Sequence, residues 1–206
     1  MKKYLCLIMA ALLALSCFAA MAEETEVETT SSFDRSVFEG LEDYSENKFD
    51  KAWDYYVQAP SSDSSMILAL LIHGKLEDPG IDRVVLVPAR SLTDYDGVEK
   101  IQALIGETVY TMDVSGIQKQ LEVGMAVLTD QTSSFFEVIA NADEVALRAT
   151  TDSGSFDATF SADNDEFRKI QTALQELFRQ GGTKCFSQEG RITAANVGML
   201  QTLTVD

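Results

Sequence analysis

Residues 130–182, DQTSSFFEVIANADEVALRATTDSGSFDATFSADNDEFRKIQTALQELFRQGG, decide the fold class. At the start of this stretch Phe135, Phe136, Val138, Ile139 and Ala142 gather on one side of a short helix over 130–142. Val145, Leu147 and Ala149 then alternate as in a half-buried strand, Asp152-Ser153-Gly154 makes a turn, and Phe156, Ala158 and Phe160 alternate back. Asp163 followed three residues later by Glu166 reads as a capping box, with acidic residues clustered where the helix dipole favours them. Phe167, Ile170, Leu174, Leu177 and Phe178 form the apolar stripe of that second helix, and Gly181-Gly182 stops it. Helix, hairpin and helix, preceded by several strands, predict an α+β domain: an antiparallel sheet with helices packed on one face.

The strands upstream are read from their period. Trp53, Tyr55 and Val57 point one way and Asp54, Tyr56 and Gln58 the other, a half-buried strand ended by Pro60. Residues 66–73 are apolar on both faces, which describes a central strand covered on both sides or one whose second face meets a helix. Asp78-Pro79-Gly80 supplies a turn in which Pro presets the backbone and Gly takes a positive φ. A strand over 84–87 follows, and residues 120–129 read as another. Residues 96–114 admit two readings. Asp96 with Glu99 suits a helix carrying Val98, Ile101, Leu104 and Ile105, whereas the alternation of Tyr110, Met112 and Val114 suits a hairpin closed by Gly106-Glu107. The hairpin is preferred. Before all of these, Ser31-Ser32 offers an N-cap to a short amphipathic helix bearing Phe33, Val37, Phe38 and Leu41.

The first 22 residues set the compartment. Lys2 and Lys3, an apolar run over 5–15 and Ala20-Met21-Ala22 have the pattern of a secretory signal peptide cleaved after Ala22. The run is too short to span a bilayer, and no later run is longer, so a mature chain without a transmembrane helix is expected. A competing reading lipidates Cys17, which would become the N-terminus of a membrane-anchored lipoprotein. Ser16 fits that signal, whereas Ala14 stands where Leu is usual. Residues 23–32 form an acidic, Ser/Thr-rich flexible spacer, and residues 33–206 form one domain.

Removing the leader takes away two of 16 basic residues and none of the 33 acidic ones, moving the formal charge from −17 to −19. A chain so acidic is repelled by phosphate backbones, so nucleic acid is excluded as a partner. Cys185 is the one cysteine that remains after cleavage, which excludes an intrachain disulfide.

Residues able to carry chemistry are few. His73 is the only histidine, and without a G-x-S-x-G elbow or H-E-x-x-H pair it reads as a hydrogen-bonded structural residue. Cys185, beside Lys184, reads as a small buried thiol. Asp94-Tyr95-Asp96-Gly97 fails as a calcium loop because Leu92 and Ala103 fall at the first and twelfth ligand positions. The acids of Asp163-Asn164-Asp165-Glu166 are explained by capping. Accordingly no catalytic, cofactor-binding or metal-ligating residue is assigned, and no cofactor is expected. Among the aromatics, alternation buries Trp53 and Tyr55 and leaves Tyr56 as the exposed ring for a sugar or a partner's aromatic group.

The expected function is a non-catalytic binding or interaction module, secreted or periplasmic, meeting a protein or glycan partner of the bacterial envelope or exterior. Two alternatives stand beside it. One is a secreted hydrolase acting on glycans through two converging carboxylates. The other is an accessory subunit anchored by a lipid on Cys17.

Overall fold

A computed structural model describes residues 32–90, 97–115, 124–188, 190 and 200–204. The strands in chain order are β1 (Tyr44–Asn47), β2 (Ala52–Pro60), β3 (Ile67–Lys75), β4 (Ile81–Ala89), β5 (Val98–Ile105), β6 (Thr108–Asp113), β7 (Ala126–Val127), β8 (Glu144–Thr151), β9 (Gly154–Ser161) and β10 (Leu200–Thr204). Helix α1 (Ser133–Asn141) precedes β8, and α2 (Asp165–Gln180) follows β9. This is an α+β fold with antiparallel ladders throughout. The strands divide into two five-stranded sheets, in the orders β1-β2-β3-β4-β7 and β10-β6-β5-β8-β9.

One hydrophobic cluster joins the inner faces of both sheets to both helices. From the first sheet come Trp53, Tyr55, Val57, Leu68, Leu70, Ile72, Val84 and Leu86; from the second, Ile101, Ala103, Val145, Leu147 and Phe160. Helix α2 presses Phe167, Ile170, Leu174 and Leu177 into this cluster, with the Phe167 ring 5.6 Å from that of Phe160. It also completes α1. The last carbonyls of a helix lack intrahelical partners. Here Gln171 Nε2 donates to the carbonyls of Ile139 (3.0 Å) and Ala142 (2.6 Å), and Gln175 Nε2 to that of Ala140 (2.7 Å). The sheets meet where the β2–β3 loop docks on the β9 edge, Ser62 N donating to the Thr159 carbonyl at 2.8 Å.

The C-terminal hairpin and its flanking helices form as the periodicity predicts, and residues 96–114 resolve to the β5–β6 hairpin. Gly106, at φ +61°, supplies the positive φ of its two-residue turn. Four details differ. The amphipathic helix expected after Ser32 shrinks to a 3₁₀ turn, Arg35–Val37, capped by Asp34. Phe33 and Phe38 are instead held by stacking on Trp53 and Tyr55, while Val37 and Leu41 stay exposed. Gly80 lies outside the positive-φ region, and its lack of a side chain serves close packing: a Cβ there would sit 2.6 Å from the backbone nitrogen of Ser187. The α2 cap is Asn164, one residue after Asp163, because its side chain reaches the N–H groups of both Glu166 and Phe167. The strand expected over 120–129 is only Ala126–Val127 among the described residues.

Candidate functional site

Phe33 and Trp53, two members of the aromatic cluster that holds this segment, line a cleft of about 420 Å³. One wall is residues 33–36 with Glu39, the other the β3–β4 connection, Leu76, Glu77, Asp78 and Pro79, and Trp53 of β2 lies between them. The walls are tied together by Phe33 N donating to the Pro79 carbonyl at 2.8 Å and Arg35 Nη1 donating to that of Leu76 at 3.3 Å. The first wall is also pinned to the end of α2, where Gln180 accepts from Asp34 N at 2.7 Å and donates to the Asp34 carbonyl at 3.2 Å. These bonds explain why a segment with little regular structure holds its shape.

Phe33 and Trp53 belong to a larger stack of rings behind the cleft. Phe33 lies parallel to Trp53, with centroids 6.1 Å apart and an interplanar angle of 5°; Phe38 bridges Trp53 to Tyr55, and Tyr44 covers Trp53 from β1. Trp53 is only 1 % exposed. The pyrrole edge of its indole lies over Gly74, where a Cβ would come within 2.6 Å of Nε1, and its N–H has no hydrogen-bond partner among the described residues. Burial, then the hydrogen bond to Glu46, pushes the Tyr44 phenol up to about 12, so Tyr44 stays neutral.

The rim is acidic. Asp34, Glu39, Glu77 and Asp78 face a single cation, Arg35. Arg35 pairs with Glu39 at 3.2 Å, and Lys51 outside the cleft pairs with Glu77 at 2.7 Å. The Asp34 carboxylate accepts from Ser36 N at 3.1 Å, and that of Asp78 from Gly80 N at 2.7 Å. Neither has a cation within ion-pair distance among the described residues. Hydrogen bonds from Ser36 hold the Asp34 carboxyl below its ordinary range, and Arg179 adds a weaker pull in the same direction while itself bonded to Glu176. The cleft therefore presents two carboxylates, Asp34 and Asp78, that form no ion pair with a described side chain.

The residues singled out from sequence lie elsewhere. His73 Nδ1 is 2.7 Å from Asp54 Oδ1, both largely buried on the face of the first sheet opposite the core. In register they form a row Ser45–Asp54–His73–Arg83 across β1 to β4. A serine relay needs the hydroxyl beyond the other ring nitrogen, whereas Ser45 lies on the far side of Asp54. Tyr56 is half-buried on that same face, paired with Leu71, and its hydroxyl accepts from Gln58 Nε2. Cys185 is buried, with its thiol donating to the Gln180 carbonyl at 3.0 Å. Ala22, Cys17 and the acids Asp94 and Asp96 lie outside the described residues. No group of three or more His, Cys, Asp or Glu is placed to hold a metal ion among the described residues, and none of the described helices is long and apolar enough to cross a membrane.

Sequence reasoning missed the cleft because its walls are some forty residues apart and each reads alone as a solvated loop. The available signal was Asp78-Pro79, a rigid acidic turn directly after an apolar strand. No family model, curated protein or solved structure matches this chain.

Proposed function

We propose that this chain is an exported, non-catalytic binding module that engages a protein or glycan partner of the bacterial cell envelope or exterior. The observation that carries the reading is the cleft beside Trp53. It is of ligand-binding size, its walls are fixed by hydrogen bonds, and its rim holds charge that awaits a complement. The leader of residues 1–22 supports export, either as a soluble secreted or periplasmic protein cleaved after Ala22 or as a lipoprotein anchored at Cys17. The acidity of the chain disfavours nucleic acid as the partner.

One observation favours the second reading, a carboxylate-dependent hydrolase of glycans: four carboxylates line the same cleft. Such an enzyme needs one carboxyl kept protonated by apolar burial. Glu77 is 73 % exposed and already paired with Lys51, and Glu39 is 47 % exposed and paired with Arg35. The binding reading therefore ranks first. Crosslinking in intact cells, followed by identification of the captured species, tests it. A reproducible partner is expected; hydrolysis of a glycan by the purified protein with no captured partner would overturn it. Intact mass of the exported chain separates the two anchoring modes, since an N-terminus at Glu23 excludes lipidation at Cys17.

A further inference from the structure

We infer that the cleft receives a basic peptide segment of a protein partner, a cationic side chain meeting Asp34 and Asp78 and a main-chain carbonyl meeting the indole N–H of Trp53. The inference rests on the binding-module reading and names its ligand. Two needs are unmet in the same cleft. Among the described residues Asp34 and Asp78 form no ion pair, and Trp53, 1 % exposed, carries a donor without an acceptor. A buried donor left unpaired is destabilising, so a ligand that supplies the acceptor recovers that cost on binding.

The pair of needs selects the chemistry. A phosphate or an acidic glycan offers acceptors but is repelled by the rim. A neutral sugar can meet the indole but leaves the carboxylates uncompensated. A polyamine meets the carboxylates but has no carbonyl. A peptide bearing Arg or Lys supplies both, and a guanidinium can bond two carboxylates through its planar fork of donors. The cleft volume of about 420 Å³ suits one such side chain with its adjoining backbone. The remaining cations are already engaged, Arg35 with Glu39, Lys51 with Glu77 and Arg179 with Glu176, so an incoming cation meets no free positive charge at the rim among the described residues.

Trp53 is the only tryptophan, so its emission reports on the cleft directly. The test titrates the protein with an acetylated, amidated tri-arginine peptide, with spermine and a tri-glutamate peptide as comparisons. It uses the wild type, the double variant Asp34→Asn/Asp78→Asn, and the double variant Asp143→Asn/Glu144→Gln at an exposed position apart from the cleft. Asn keeps the Oδ1 acceptor that receives the Ser36 and Gly80 N–H groups, so the walls are preserved. The expected result is a saturable emission change with tri-arginine, weakened at least tenfold by Asp34→Asn/Asp78→Asn and unaltered by Asp143→Asn/Glu144→Gln, with spermine at least tenfold weaker. No saturable change, equal losses in the two double variants, or spermine binding as tightly would overturn the inference. If the peptide fails while crosslinking in cells still captures a partner, the ligand assignment falls and the binding-module reading stands; if both fail, both fall.

Discussion

The two sheets share antiparallel ladders but meet their surroundings differently. In the first, β4 is buried at all nine positions, and the row Leu71–Val85–Val127 is buried on the face opposite the core. In the second, β8 alternates between buried and open positions, and its outward face carries Ala146, Arg148 and Thr150. The two sheets can therefore host function in different places. A sheet covered on both faces offers recognition only at its strand ends and connections, which is where the cleft opens beside Trp53. A sheet with one open face offers a broad, shallow surface, here occupied by the Arg148–Asp157 pair at 2.7 Å.

The largest test of that contrast is a lysine on each outward face. Val85→Lys places an ammonium in a site 1 % exposed and should cost more than about 4 kcal/mol, enough to remove a cooperative urea transition. Ala146→Lys, on the open face, should change stability by about 0.5 kcal/mol or less. Equal losses would mean that the second sheet is covered as well. A smaller contrast comes from glycines. Gly74→Ala drives a methyl against the indole of Trp53 and should cost about 1–3 kcal/mol with a shift in tryptophan emission. Gly106→Ala meets open space at φ +61° and should cost about 1–2 kcal/mol, from backbone strain alone and with emission unchanged.

The smallest effect lies at the seam between the sheets. Asp63 accepts from Ser65 N, Ser65 Oγ and Ser61 Oγ at 3.0, 2.6 and 2.8 Å, and the Ser65 bonds lead those that depress its carboxyl to about 2. Because the folded value lies below the ordinary 3.8, the stability it contributes is fully present above about pH 4 and is lost as pH falls through about 2. A carboxyl NMR titration should place the Asp63 midpoint near 2; a midpoint near 4 would show that the loop bonds are absent in solution.

This contrast also explains how much was legible in the sequence. Val145, Leu147 and Ala149 announce β8 because the open face keeps the alternate positions polar or small. The apolar run at 66–73 was recognisable as doubly covered for the converse reason. The division into two sheets was not legible, since strand period records faces and carries no record of which strand is whose neighbour. The N-terminal segment departs from its helical spacing because Phe33 and Phe38 satisfy that spacing equally well while stacking on Trp53 and Tyr55, a tertiary choice that local periodicity cannot register. The cleft was invisible for a related reason. Asp34 and Asp78 are ordinary surface acids until the β3–β4 connection is brought against the 3₁₀ turn.

Whether recognition occurs at the cleft rather than on the open face of the second sheet can be decided by site-specific photocrosslinking in intact cells. One photoreactive residue replaces Ser36 on the cleft wall, and another replaces Ala146 on the open face. A discrete crosslinked species that excess tri-arginine peptide suppresses is expected from position 36, and none from position 146. A species from position 146 alone, or one from position 36 that the peptide leaves untouched, would contradict it.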